Sequence, residues 1–193
     1  SKAVPIALAV VFGLCAVAMI GIMVYFSCID TETDLGNFER IIRFNDIWGT
    51  HRGFMWIRSI WIFGDASFIE KLFGVGPDMF YSAFSPYFDD LSKYGDSSTN
   101  AAHNEYLNYL ITIGITGLLS YLAIVCGTIK SAVKYAKENP MLIACVSAVI
   151  CYAVQSVVNL YQPITTPLFF IFIALCEAFV RNAKAKKSAV SAV

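Results

Sequence analysis

The sequence predicts an all-α integral membrane protein, with about four membrane-spanning helices and a large, partly helical extracytoplasmic loop between the first and the second. Three observations predict it. Of 193 residues, 58% are hydrophobic and only 15% charged, with a mean hydropathy of +0.64, a composition that a water-facing surface does not tolerate. Four stretches are long and apolar, and in hydrocarbon each must be helical because bare backbone polar groups find no partner there. The lysines and arginines fall between these stretches in the uneven pattern that orients spans in a bilayer.

The first span covers residues 4–26. Its apolar run is far longer than the roughly 7 to 15 residues of a signal-peptide core, and no small-x-small site ends it. A chain that begins SKAVPIALAV, without Met, and turns apolar at once is expected to be a piece of a longer protein. The second span is 106–128, the third 141–160 and the fourth 166–180. Lys2 precedes the first, Lys130, Lys134 and Lys137 separate the second from the third, and Arg181, Lys184, Lys186 and Lys187 follow the fourth. Those places belong on the cytoplasmic side. Residues 30–105 hold twelve acids against six bases, a net of −6, and belong outside. The expected organisation is a first span over 1–28, an extracytoplasmic loop with interfacial helices over 29–105, and three spans with a basic cytoplasmic tail over 106–193.

Within the loop, 34–44 sets Leu35, Phe38, Ile41 and Ile42 on one side and Glu39, Arg40 and Arg43 on another, as a short amphipathic helix does. With Thr50 as N-cap, 50–63 forms a second helix that places Phe54, Ile57 and Trp61 on one face and Arg52 and Trp56 one turn apart on an adjacent face. Trp48, Trp56 and Trp61 suit the water–lipid boundary. A short helix over 67–72 then meets Gly74-Val75-Gly76-Pro77, a turn that no continuous helix accommodates. Residues 89–100 are polar and acidic, and helix resumes at Asn100 and runs into the second span.

Composition also removes function classes. With zero formal charge and no basic run interleaved with aromatics, the chain offers no nucleic-acid surface. All six cysteines sit in or beside apolar runs without CxxC spacing, which suits small buried hydrophobes rather than a disulfide framework or a zinc site. HExxH, closely paired carboxylates and a P-loop are missing, and His51 and His103 are the only histidines, so neither a metal nor a cofactor is expected.

Several residues read two ways. GVGPDM lacks the third glycine and the preceding strand of a dinucleotide fingerprint; Gly74 and Gly76 either make a tight turn or bring backbone amides to an anionic headgroup. Arg52 either snorkels to lipid phosphate or gives a pyrophosphate its planar, permanently charged fork. His103, with Asn100 as N-cap, falls in the first turn of a membrane helix, where the helix dipole disfavours the imidazolium and leaves a ring able to accept a proton. Asn104 and Asn108 lie one turn apart, and Glu105, Asn108 and Thr112 continue a polar strip into the membrane. Glu105 orients a partner, serves as a second base, or is simply an exposed interfacial carboxylate. Gly114 and Gly117 allow close helix packing. Gln155, Asn159 and Gln162 either extend a polar cavity or bond between helices.

Arg52 four residues before Trp56, then GVGPDMF, then AHNEYLNYLITIGITGLLSYL resembles the carboxy-terminal half of the O-antigen ligase and polymerase family, over residues 50–122. The resemblance implies a polytopic glycosyltransferase of the GT-C type in the bacterial inner membrane, moving a glycan from undecaprenyl pyrophosphate to an acceptor hydroxyl with inversion and without a metal. Its implied partners are the undecaprenyl-pyrophosphate-linked glycan, an acceptor glycan or glycolipid, the lipid bilayer, and an amino-terminal half of the same protein that carries further donor-binding arginines. Carried over, Arg52 holds the lipid pyrophosphate and His103 activates or positions the acceptor hydroxyl. Trp56, Gly74, Gly76, Asn104 and Glu105 complete the expected substrate-binding set. The alternative is a non-enzymatic membrane protein that binds or transports a lipid-linked glycan.

Overall fold

The computed structural model describes residues 3–191, all of whose regular structure is helical. Lys2, the base expected before the first span, lies outside the described residues. Two compact units divide the chain, Ser1–Arg58 and Ser59–Val193.

The first unit opens with α1 (Ala3–Val24), extended by a π-helical turn over Tyr25–Ile29. The stretch Val10–Ile29 has a mean hydropathy of 2.3, and Val11, Phe12, Leu14, Val17 and Ile20 are all exposed. A helix apolar on every side belongs in lipid. Arg43 ties down the chain that follows: its Nε donates to the Phe26 carbonyl at 3.1 Å, Nη2 donates to the Thr33 carbonyl at 2.7 Å, and Nη1 pairs with Glu39 at 3.2 Å. The helix expected over 34–44 contracts to a 3-10 turn, Gly36–Phe38, and a single α turn, α2 (Glu39–Ile42). Asp34 accepts the Gly36 amide at 2.8 Å and Gly36 takes φ +53°, so a local side-chain bond replaces the first helical turn. Arg43 ends the element in an extended conformation.

A second departure comes in α3 (Trp48–Asp65), which carries the chain from one unit into the other. Thr50 does not cap it. Gly49, Thr50 and His51 have φ of +58°, +62° and +67°, and the right-handed helix starts only at Arg52. Left-handed backbone costs about 1–2 kcal/mol per residue that bears a β-carbon, so the surroundings must hold this turn in place. The Trp48 indole donates to the Ile41 carbonyl at 2.9 Å, Arg58 pairs with both oxygens of Asp46, and a β-carbon on Gly53 would overlap the Asn45 carbonyl oxygen.

In the second unit, the helix expected over 67–72 is α4 (Phe68–Phe73), one residue later because Ser67 serves as its cap: Ser67 accepts the Glu70 amide and the Glu70 side chain accepts the Ser67 amide at 2.8 Å. Next come α5 (Phe80–Phe84), a 3-10 turn at Ser85–Tyr87, and α6 (Phe88–Ser92), which bury Phe80, Phe84 and Leu91. The span expected over 106–128 is two helices, α7 (Glu105–Thr112) and α8 (Gly114–Tyr135). The break has a visible cause. The carbonyls of Ile111 and Thr112 accept the amides of Val75 and Gly76, each at 3.0 Å, in place of the next helical turn. A β-carbon on Gly74 would overlap the Thr112 carbonyl group, and one on Gly114 would come within 2.6 Å of the Gly74 nitrogen.

Helix α8 packs with α9 (Met141–Gln155) and α10 (Thr165–Ser191). Ala132, Leu142, Val146 and Val180 form one core with the buried Cys145 and Cys176; Tyr121, Val125, Val149 and Phe169 form another. The other four cysteines are exposed, contrary to expectation, and all six are free. Helix α9 stops at Gln155 rather than at 160, and its 15 residues span about 22 Å at 1.5 Å each, short of a hydrocarbon core of about 30 Å. Helix α10 continues past 180 to Ser191. Of the four expected spans, Val10–Ile29 and Gly114–Tyr135 are single helices long and apolar enough to cross a bilayer.

Candidate functional site

Arg52 and Trp56 belong to the first unit, on successive turns at the start of α3, where residues four apart share a side. The left-handed turn ahead of them sets where this first turn begins. Arg52 Nη1 donates to the Gly49 carbonyl at 3.3 Å, but its Nε is buried with no acceptor. The Trp56 indole nitrogen is also buried with no acceptor, while its ring packs 5.1 Å from Trp48 and 6.1 Å from Phe44. Each orphaned N–H costs about 1–3 kcal/mol. An oxyanion offers several acceptor oxygens to such donors and forms charge-assisted bonds with guanidinium.

The remaining expected residues lie in the second unit. Asn104, not Asn100, caps α7: its side-chain oxygen accepts the Leu107 amide at 3.0 Å. His103 therefore precedes the cap instead of sitting in the first turn, and it is half-buried with φ +50°. Histidine enters this backbone region more readily than most residues, and strain of this kind gathers at functional sites.

Glu105 is not an exposed interfacial carboxylate. It is 0% exposed, and its two oxygens accept from the Tyr109 hydroxyl and the Ser156 hydroxyl, both at 2.8 Å. Its amide also donates to the Ser156 carbonyl at 2.9 Å, which fastens the start of α7 to the end of α9. Asn108 and Thr112 are buried with it, and the Thr112 hydroxyl donates to the Asn108 carbonyl at 2.8 Å, so the expected polar strip is an inward-facing one.

The Gly74 and Gly76 amides are spent within the protein, on the Glu70 carbonyl at 2.7 Å and the Thr112 carbonyl at 3.0 Å. Their geometry answers to backbone close approach rather than to an anion. Among the described residues, no three His, Cys, Asp or Glu side chains converge as metal ligands.

Three side chains that the sequence did not single out take part in this region. Ser156 is the partner of Glu105, while the Tyr161 hydroxyl donates to Asp78 at 3.1 Å. Asp78 follows the Gly76-Pro77 turn and has φ +59°, and that turn was the one signal pointing to it.

Comparison with known families adds one finding. The family model described as O-Antigen ligase matches residues 2–122, well over half of the chain, from the start of the sequence into α8. No curated protein and no solved structure matches.

Proposed function

We propose, from the premise that this chain belongs to the O-antigen ligase family, that it transfers a glycan from undecaprenyl pyrophosphate to the hydroxyl of an acceptor glycan or glycolipid at the outer face of the bacterial cytoplasmic membrane. Membership makes it a membrane protein with ligase-type glycosyl transfer as its activity. The donor, the face, the inverting course and the independence from metals are our reading, as is an orientation with both termini cytoplasmic.

In this reading the acceptor oxygen attacks the anomeric carbon from the side opposite the pyrophosphate. The bond from that carbon to the pyrophosphate oxygen breaks, and the electron pair leaves with undecaprenyl pyrophosphate. His103 takes the hydroxyl proton and later returns it to solvent. Pyrophosphate leaves readily once its growing charge is met, so the protein's work is to align two substrates and stabilise that charge. Arg52 meets it through the guanidinium fork, and the Trp56 N–H is a second donor one turn along the helix. The observation that carries the reading is this pair of buried donors, Arg52 Nε and Trp56 Nε1, neither of which has an acceptor.

The test is transfer by the full-length protein from a lipid-linked donor. His103→Ala is expected to lower the rate by about 10²–10⁴-fold, the usual worth of a general base. Arg52→Lys is expected to lose transfer although it keeps the charge, since an ammonium lacks the fork. Undiminished transfer by His103→Ala sinks the base assignment, and wild-type transfer by Arg52→Lys removes the pyrophosphate role.

A further inference from the structure

Beside the Gly76-Pro77 turn, the second unit contains a cleft of about 240 Å³ that none of the roles above uses. Pro77 and Asp78 are exposed at its rim, and the buried Asn108 and Thr112 lie at its floor. Tyr109 and Tyr161 contribute aromatic walls.

The hydrogen-bonding capacity of this cleft is lopsided. Asn108 is 6% exposed, and its side-chain oxygen is buried without a donor. Asp78 receives the Tyr161 hydroxyl on one carboxylate oxygen, which leaves the other for a ligand. Burial, and then the bond to Asp78, hold the Tyr161 phenol above its ordinary range, so it remains a protonated donor to that carboxylate at neutral pH. The lining thus offers acceptors and a negative charge, which is the wrong chemistry for phosphate and the right one for O–H groups. Its volume falls below the roughly 300–1,000 Å³ of pockets that enclose drug-sized ligands. One ring fits that space; a chain does not. The left-handed backbone at Asp78, φ +59°, is what the third position of the Gly76–Met79 turn requires, and the Met79 amide closes that turn on the Gly76 carbonyl at 3.2 Å, which fixes Asp78 at the rim.

We propose, resting on the glycan-transfer reading, that this cleft is the subsite for one uncharged sugar ring, whose hydroxyls donate to Asn108 Oδ1 and to the Asp78 carboxylate while a ring face lies against Tyr109 or Tyr161. The sugar belongs either to the donor glycan or to the acceptor, and the chemistry is common to both.

The test is saturation-transfer NMR on the full chain in detergent, with methyl glucoside, methyl N-acetylglucosaminide and methyl glucuronide as probes. A neutral glycoside is expected to bind and the glucuronide to bind more weakly. Asp78→Asn, on the rim, keeps an acceptor for Tyr161 and is expected to weaken binding about fivefold, the advantage of a charge-assisted bond over a neutral one. Asn108→Leu is expected to weaken it at least about tenfold by removing the floor acceptor. Should Asn108→Leu fail to fold, Asp78→Asn alone decides. Failure of every neutral glycoside to bind the wild type overturns the proposal, as does an Asp78→Asn variant that binds as tightly as the wild type. These assays contain no lipid-linked donor. Sugar binding that persists when transfer cannot be detected leaves the cleft intact and defeats the transfer reading; transfer without sugar binding does the reverse. In the transfer assay, a raised KM for acceptor in Asp78→Asn assigns the ring to the acceptor, and a raised KM for donor assigns it to the donor.

Discussion

Gly74→Ala tests why the helix expected over 106–128 is broken into α7 and α8. Gly74 has φ +78° and ψ 178°, a region essentially confined to glycine, and a β-carbon there costs about 1–3 kcal/mol in backbone strain. The added carbon also overlaps the Thr112 carbonyl group. Because the obstacle is backbone rather than a flexible side-chain end, overpacking adds about 1–3 kcal/mol. If the turn withdraws to escape the clash, it gives up the bonds from Val75 to Ile111 and from Gly76 to Thr112, both at 3.0 Å, at about 1 kcal/mol each. Either route predicts a loss of about 2–6 kcal/mol, a large part of the stability of an ordinary domain. Gly114→Ala attacks the same junction from the other side, with φ +69° and the Gly74 nitrogen 2.6 Å from the new carbon. The double variant should cost less than the sum, since either change alone opens the shared contact. Gly127→Ala, in α8 with nothing within 4 Å, is the control and should be neutral or stabilising by up to about 1 kcal/mol. Helical circular dichroism during reversible unfolding in mixed micelles reads all four. A Gly74→Ala variant within about 0.5 kcal/mol of wild type, or strict additivity with Gly114→Ala, would falsify this account of the junction.

Glu105→Ala strands the hydroxyls of Tyr109 and Ser156 in a buried place and should cost about 2–6 kcal/mol by thermal unfolding, at about 1–3 kcal/mol for each stranded group. Glu105→Gln still accepts one of them and should lose less, so equal losses would show that the negative charge matters rather than the hydrogen bonds. For pH, the side-chain and then the backbone bond of Ser67 hold the Glu70 carboxyl below its ordinary value. A carboxylate lowered in the folded state stabilises the cap above its unfolded pKa and ceases to as pH falls through the folded one. NMR titration should therefore find Glu70 protonating below the usual glutamate range, and Ser67→Ala, which removes the side-chain bond and keeps the backbone one, should move it part of the way back; an unmoved midpoint in that variant refutes the capping assignment.

What the sequence made legible was local. The apolar run of α1 and the short helix expected over 67–72 are each written within a few neighbouring residues, and the structure keeps them, with Ser67 as the cap of α4 rather than its first helical residue. The break in the second span is not local. TIGITG reads as continuous apolar helix, and what interrupts it is a pair of amides from Val75 and Gly76 far earlier in the chain. The start of α7 failed for a related reason: Asn100 and Asn104 are both good caps by type, and Asn104 prevails because the next residue, Glu105, is already bonded to Ser156 at the end of α9. Nothing in Gly49-Thr50-His51 advertises three left-handed residues in a row. That turn depends on Asn45 lying against Gly53, which only a structure displays.

Residue type proposes a role, but the hydrogen-bonding capacity left over after folding separates the candidates. Glu105 looked like a base, yet it is fully buried where α7 meets the end of α9, with a hydroxyl on each oxygen, so a substrate reaches it only by opening that contact. Its chemistry is that of a tie between helices. Gly74 and Gly76 looked like anion-binding amides, and their N–H groups are already committed to protein carbonyls. Arg52 and Trp56 retain buried donors with nothing to give to, whereas Asn108 retains a buried acceptor with nothing to receive and Asp78, on the surface, has a second carboxylate oxygen beyond the one that takes the Tyr161 hydroxyl. Phosphate oxygens complement the first pair and sugar hydroxyls the second.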